Sequence, residues 1–314
     1  MKLTVTANAK INLFLDITGR RPDGYHTITG VMQAVSLCDT VTVEVTDPVD
    51  GMYLCVLGPR PGMAETITLT CTNPDIPADS RNLAWRAAEK FLTVTGRGCR
   101  RLAIHIEKRI PAAAGLAGGS TNAAAVLTAL NELFGYPLTP AALCEVGLSL
   151  GADVPFCIMG GAQITEGVGE VMTPIPAMPD CDLVIACAGE GVSTPAAYKA
   201  LDLRYGNFDP TAYSPRASEL TALTAALRAG DLDGVCGNGF NLFESVVLPD
   251  RPVARGIRET MLAAGAVSAL MSGSGPSVFG VFRKGDGGAQ RAKEALEAQG
   301  VTAYVCEPVA GLPV

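Results

Sequence analysis

At 314 residues, 48% hydrophobic and 18% charged, the chain is long enough for about two domains with buried cores and too apolar to remain disordered. A net charge of −7 and a pI near 5.0 exclude a broad basic surface for nucleic acid, so an anionic ligand has to be held locally. The ten cysteines stand singly, without CxxC pairs or zinc spacing, and read as buried apolar thiols of a reducing compartment. No signal-type apolar segment opens the chain, and no run approaches the ~20 apolar residues of a membrane span. The expectation is a cytoplasmic protein, monomeric or weakly dimeric, acting on a small molecule with neither nucleic acid nor membrane as partner.

In chain order, Leu3–Leu15 alternates as a strand, with Ala7, Ala9, Ile11, Leu13 and Leu15 on one face and Asn8, Lys10, Asn12 and Phe14 on the other. Lys10 and Asn12 point the same way, and alone they read as solvated surface. Tyr25 and His26 follow in the loop RRPDGYH, where such a pair is ordinarily surface decoration. Asn82 reads as the N-cap of a helix in NLAWRAAEKF. Leu102–Ile106 alternates as another strand, with His105 structural, and leads into PAAAGLAGGSTNAAAVL and a helix over Ala123–Phe134 closed by Gly135. Asp153, in GADVPF, reads as a turn former or helix cap.

Three prolines in Met172–Asp180 predict an irregular stretch and a boundary between domains 1–175 and 176–314. Beyond it a strand is expected at Asp182–Cys187, helices near Glu219–Arg228 and Val253–Ala264, and a strand pair at Ala266–Met271 and Ser277–Phe282. A helix at Ala289–Gln299 and a strand at Thr302–Cys306 complete a small α+β sandwich. The segment Asp47–Asp79 matches no motif.

The glycine-rich stretch joins a strand to a helix. The first turn of a helix carries unpaired N–H groups and partial positive charge, and Gly115, Gly118 and Gly119 let a phosphate approach them. The plain alternative is a tight turn with a serine cap. A Walker A loop is excluded because no lysine follows Gly119. A dinucleotide fingerprint fails both here and at Gly273–Gly275, where Val278 replaces the third glycine. Ala117 adds a Cβ within this loop, which is unaffected if its φ is negative; otherwise nucleotide affinity is what this residue puts in doubt.

PAAAGLAGGSTNAA resembles the second motif of the GHMP kinases, the family of galactokinase, homoserine kinase and mevalonate kinase. AKINLFLDITGRRPDGYHTI, Ala9–Ile28, and SGSGPSVFG, Ser272–Gly280, resemble the first and third motifs in the right order, and GADVPF matches a segment between. The resemblance covers nearly the whole chain. It implies an α+β two-domain GHMP kinase fold, with an N-terminal ribosomal-protein-S5-like domain and a C-terminal ferredoxin-like α/β sandwich, and it implies ATP and Mg2+.

It further implies Lys10 and Asp153 as the catalytic pair, Asp153 accepting the proton of the substrate alcohol and Lys10 orienting the reacting groups. Pro111, Ala112, Ala113, Ala114, Gly115, Leu116, Ala117, Gly118, Gly119, Ser120 and Thr121 would bind ATP, with Asn82 near the adenine. Asn12, Tyr25, His26, Thr194 and Tyr198 would bind substrate. The RRPDGYH segment and the doubled glycine before Ser120 point, by the same resemblance, to a cytidine diphosphate substrate, with the base between Tyr25 and Tyr198 and His26 at its edge. No acidic metal ligand is assigned; Ser120 or Thr121 would contribute an oxygen. A homoserine- or mevalonate-type relative should lack the tyrosine–histidine pair, and a catalytically silent sensor would have lost Lys10 or Asp153.

Overall fold

The computed structural model describes residues 1–49, 66–187, 189, 191–208 and 213–311. The middle of the unassigned Asp47–Asp79 segment, with Cys55, lies outside the described residues. Two compact units are interleaved in the chain. Met1–Ala9, Cys38–Ile110 and Ala117–Met159 make one; Lys10–Leu37, Pro111–Leu116 and Gly160–Val314 make the other. Two long strands, Lys2–Arg20 and His26–Val49, each contribute to both units, and Pro111–Leu116 of the second unit interrupts the first unit's chain.

In the first unit, Thr40–Val49 pairs antiparallel with the strand Gly98–Glu107, which pairs parallel with Thr66–Cys71. A parallel pair needs a crossover, and the helix Leu83–Thr95 supplies it. Period-2 alternation buries Leu102, Ile104 and Ile106 in a core shared with Phe91 and Leu92 and with the alanine-rich helix Gly118–Leu133. The helices Pro140–Leu148 and Val154–Met159 complete this unit, the former opened by a Thr139 cap with proline at its first position.

The second unit contains a four-stranded antiparallel sheet in the order Ala303–Cys306, Cys181–Ala186, Val278–Arg283, Ser268–Met271. The helices Pro252–Ala263 and Gly288–Ala298 bury Ile257, Met261, Ala292 and Leu296 in a core shared with Val184, Ala186 and Val278 of that sheet. This is the expected α+β sandwich, each element within a few residues of its expected span. The C-terminal half of the first long strand and the N-terminal half of the second belong here too: Phe14–Leu15 pairs parallel with Phe240–Asn241, and Ile28–Gln33 pairs antiparallel with the strand Ala162–Gly167.

One expectation is corrected. Val171–Ile175 is a strand despite Pro174, pairing antiparallel with Ala162–Gly167. It has no second neighbour among the described residues, so Pro174 can interrupt a ladder on one edge at most. The irregular stretch begins only at Pro176.

Among the described residues no cysteine is in a disulfide. Burial pushes the thiols of Cys99, Cys181 and Cys306 up to about 11, 12 and 12, as expected of apolar packing groups. Among the described residues no helix is long and apolar enough to cross a membrane.

Candidate active site

Within the second unit, three motifs separated in sequence come together. Ser272 donates its hydroxyl to the Gly115 carbonyl at 3.0 Å, and the Lys10 amide donates to the Leu116 carbonyl at 3.2 Å. Gly115 has φ +75, and a Cβ there would stand 2.3 Å from the Ser272 carbonyl oxygen. At Gly273, φ +57, a Cβ would meet the Gly115 carbonyl oxygen at 3.2 Å and Lys10 Nζ at 3.3 Å. Close backbone approach therefore demands glycine at both positions.

The Ser272–Gly275 turn is held from behind. Asn241 donates to the carbonyls of Met271 and Gly273 at 2.7 and 2.8 Å, and its own oxygen accepts from the Phe243 amide. Glu244 accepts from the Met271 amide at 2.7 Å, while burial raises its carboxyl pKa. Neither Asn241 nor Glu244 was identified by sequence reasoning, because a lone amide and a lone acid carry no spacing signal.

Lys10 and Asn12 do point the same way, but the expectation of a solvated face is corrected. The strand is buried on both sides from Ala9 to Ile17, and Lys10 is only 4% exposed. Its ammonium donates to Asn12 Oδ1 at 2.5 Å, and among the described residues no carboxylate pairs with it. The other buried lysine, Lys108, is paired with Asp39. A buried ammonium with a neutral amide as its only partner is poorly compensated and favours an incoming anion.

In the first unit the helix expected from Ala123 begins at Gly118. Its first hydrogen bond runs from the Thr121 amide to the Ala117 carbonyl at 2.9 Å, leaving the N–H groups of Gly118, Gly119 and Ser120 ahead of the ladder. They form the bare-backbone mouth that an anion requires. Ala117, the residue before it, has φ 57 and ψ 28 and makes no side-chain cap. The condition for an unaffected loop is thus not met. Left-handed backbone costs a non-glycine residue about 1–2 kcal/mol, partly offset by the larger unfolded-state freedom of glycine. Ala117→Gly is therefore expected to stabilise the protein by about 0.5–1 kcal/mol, read from the midpoint of urea unfolding; a lower midpoint would contradict this account.

Ser120 is half-buried, and a Cβ at Gly151 would stand 3.9 Å from its hydroxyl, so the loop serine and the GADVPF turn are neighbours within this unit. Asp153 immediately precedes the helix Val154–Met159, its carbonyl accepting from the Cys157 amide at 3.1 Å. Its half-buried carboxylate accepts no hydrogen bond from the described residues. Asn82 is the expected N-cap: its oxygen accepts from the Ala84 amide at 2.9 Å and its amide donates to the Pro77 carbonyl at 2.7 Å.

On the substrate side, again within the second unit, His26 stacks on Tyr198 with ring centroids 4.6 Å apart and planes 17° from parallel. One face of Tyr198 is therefore occupied by the histidine, and its ring also meets Phe243. His26 Nε2 lies 2.6 Å from Asp202 Oδ1, their side chains 8% and 15% exposed, and Arg20 approaches Asp202 at 3.5 Å. Asp202 was missed by sequence reasoning, although it lies four residues beyond Tyr198 on the helix Thr194–Arg204 and hence one turn along the same face. Tyr25 is 66% exposed, and Thr194 bonds through its hydroxyl to Ser274 in the third-motif turn at 2.8 Å.

The family model described as GHMP kinases N terminal domain matches residues 82–161, and that described as GHMP kinases C terminal matches 223–302. A homoserine kinase structure from Cytophaga hutchinsonii shares the fold, with a TM-score of 0.70 at 18% identity over 99% of this chain and 95% of its own. Fold and motifs together are those of a GHMP kinase. The 4-diphosphocytidyl-2-C-methyl-D-erythritol kinase of Alkaliphilus metalliredigens is 41% identical over 94% of this chain and 92% of its own length. That of Pelobacter propionicus is 38% identical over 97% and 98%. With a crystal structure of 4-(cytidine 5'-diphospho)-2C-methyl-D-erythritol kinase the TM-score is 0.76 at 31% identity, over 98% of this chain and 100% of the other, and the chain belongs to this kinase family.

Proposed function

We propose that Lys10 and Asp153 catalyse transfer of the ATP γ-phosphoryl group to the 2-hydroxyl of 4-(cytidine 5'-diphospho)-2-C-methyl-D-erythritol, in the non-mevalonate route to isoprenoid precursors. The observation that carries this reading is the buried, uncompensated Lys10 ammonium, held by Asn12 beside the third-motif turn. Lys10 orients the hydroxyl and favours negative charge as it develops. Asp153, its carboxylate not engaged by the described residues, accepts the proton. Carboxylates are too weakly basic to deprotonate an alcohol beforehand, but in a loose phosphoryl-transfer transition state the proton leaves late, so position outweighs basicity.

The stretch Pro111–Thr121 holds the nucleotide, the N–H groups of Gly118, Gly119 and Ser120 receiving phosphate oxygens, with Asn82 near the adenine as well as capping its helix. No cluster of three acidic, histidine or cysteine side chains is placed to hold a metal among the described residues. Mg2+ fits such a site, because in kinases it takes most of its ligands from phosphates and water. The half-buried Ser120 hydroxyl, or Thr121, would add a protein oxygen, and the ion would neutralise phosphate charge. We take the chain to divide at 175/176 into a nucleotide-binding and catalytic domain, which also carries Asn12, Tyr25 and His26, and a substrate-side domain that carries Thr194 and Tyr198. The acidic charge is consistent with a cytoplasmic enzyme, monomeric or weakly dimeric, without nucleic acid or membrane partner.

Asn12, Tyr25, His26, Thr194 and Tyr198 make the substrate side. Asp202, an acceptor when ionised, requires a donor at His26 Nε2, so in the neutral imidazole Nδ1 is left to accept a hydrogen bond. Cytosine offers such a donor in its amino group. The test is ATP consumption with the cytidine substrate, homoserine and mevalonate, for the native chain and Asp202→Asn. Expected is turnover with the cytidine substrate alone, with its KM raised about tenfold in the variant and KM for ATP unchanged. Turnover with homoserine or mevalonate instead would overturn the substrate assignment.

A further inference from the structure

Asp39 is absent from every motif, yet its fully buried carboxylate gathers four donors within the first unit. One oxygen accepts from the amides of Arg109 and Ile110 at 2.7 and 2.8 Å. The other accepts from Lys108 Nζ at 2.5 Å and Asn122 Nδ2 at 2.8 Å. Every lone-pair direction of the carboxylate is thereby used. Three donors belong to the residues that enter the glycine loop, and the fourth to the first turns of the helix that leaves it. The same contact fixes the Lys108 ammonium, which stands 2.9 Å from where a Cβ on Gly118 would be. A carboxylate that only filled the core would have no reason to tie both ends of one loop.

We propose that Asp39 is a positioning residue for nucleotide binding: it sets the spacing between the loop entry at Lys108–Ile110 and the helix mouth at Gly118–Ser120, without touching ATP. The proposal rests on the reading of Pro111–Thr121 as the nucleotide loop. A loop released from this anchor should lose phosphate affinity, because donors that must converge on the phosphates are no longer pre-arranged. The alcohol substrate, bound elsewhere, should be unaffected.

Asp39→Asn and Asn122→Ala are to be compared with the native chain by titration with a fluorescent N-methylanthraniloyl ATP and by steady-state kinetics in both substrates. Asn122→Ala leaves the Lys108–Asp39 charges intact and isolates the geometric effect. Expected are at least tenfold weaker ATP analogue binding and higher KM for ATP in Asp39→Asn. At least threefold is expected in Asn122→Ala, and KM for the alcohol should stay within twofold in both. A lowered thermal midpoint with KM for ATP unchanged would overturn the proposal and leave Asp39 a structural brace. Tighter ATP binding in Asp39→Asn would also overturn it, since the carboxylate would then merely mask Lys108. If Asp39→Asn does not fold, Asn122→Ala decides alone by the same threefold criterion. No binding by the native chain would instead overturn the reading of the loop on which the proposal rests, whereas native binding with unchanged variants defeats the proposal alone.

Discussion

Asp153→Asn is expected to lower kcat by about 10³-fold, within the range that a positioned general base supplies. The amide is nearly isosteric and cannot take the alcohol proton. No described residue donates a hydrogen bond to the Asp153 carboxylate, so the substitution breaks no native contact and unfolding stability should change by less than about 0.5 kcal/mol. ATP analogue binding should likewise persist. The decisive measurement is single-turnover ADP formation with enzyme in excess, which isolates the chemical step. A rate within tenfold of the native enzyme would remove Asp153 from the mechanism and leave positioning and charge stabilisation by other groups to explain transfer.

Lys10→Met should separate activity from stability. Loss of a preorganised cation from the reacting centre is expected to reduce kcat about 10²- to 10³-fold. The ligand-free protein should nonetheless melt at the native temperature or above it. Among the described residues the buried Lys10 ammonium has only the Asn12 oxygen as partner, and replacing a poorly compensated buried charge by an apolar side chain of similar length is commonly neutral or stabilising. Differential scanning calorimetry beside the kinetic assay tests both halves. A clear fall in melting temperature would mean that the ammonium is a structural group, and the argument from its missing counter-ion would be lost. Lys108, equally buried but paired with Asp39, has no such argument for catalysis.

Much of this architecture was legible in the residues. Period-2 alternation located the strand at Leu102–Ile106, short apolar runs located those of the second-unit sheet, and the glycine and hydroxyl composition of Gly115–Thr121 marked an anion-receiving helix mouth. Pro174 misled because the rule against proline applies to a strand bonded on both edges, and Val171–Ile175 is bonded on one. Asp39, Asn241 and Asp202 were invisible for a different reason. Asp39 meets its side-chain partners 69 and 83 positions away, Asn241 reaches carbonyls 30 and 32 positions away, and Asp202 meets His26 across 176 positions. No local pattern encodes such pairings.

The sequence by itself determined the chemical inventory: a lysine and asparagine on one strand face, a glycine loop opening a helix, an aspartate in a turn, and the motif order of the GHMP kinases. These follow from steric and periodic rules that act over a few residues. Tertiary structure alone decided which buried lysine has a counter-ion, that Ala117 carries left-handed backbone, and that Tyr198 lies against His26. Charge compensation, backbone strain and ring stacking depend on neighbours that only the folded chain brings within contact distance.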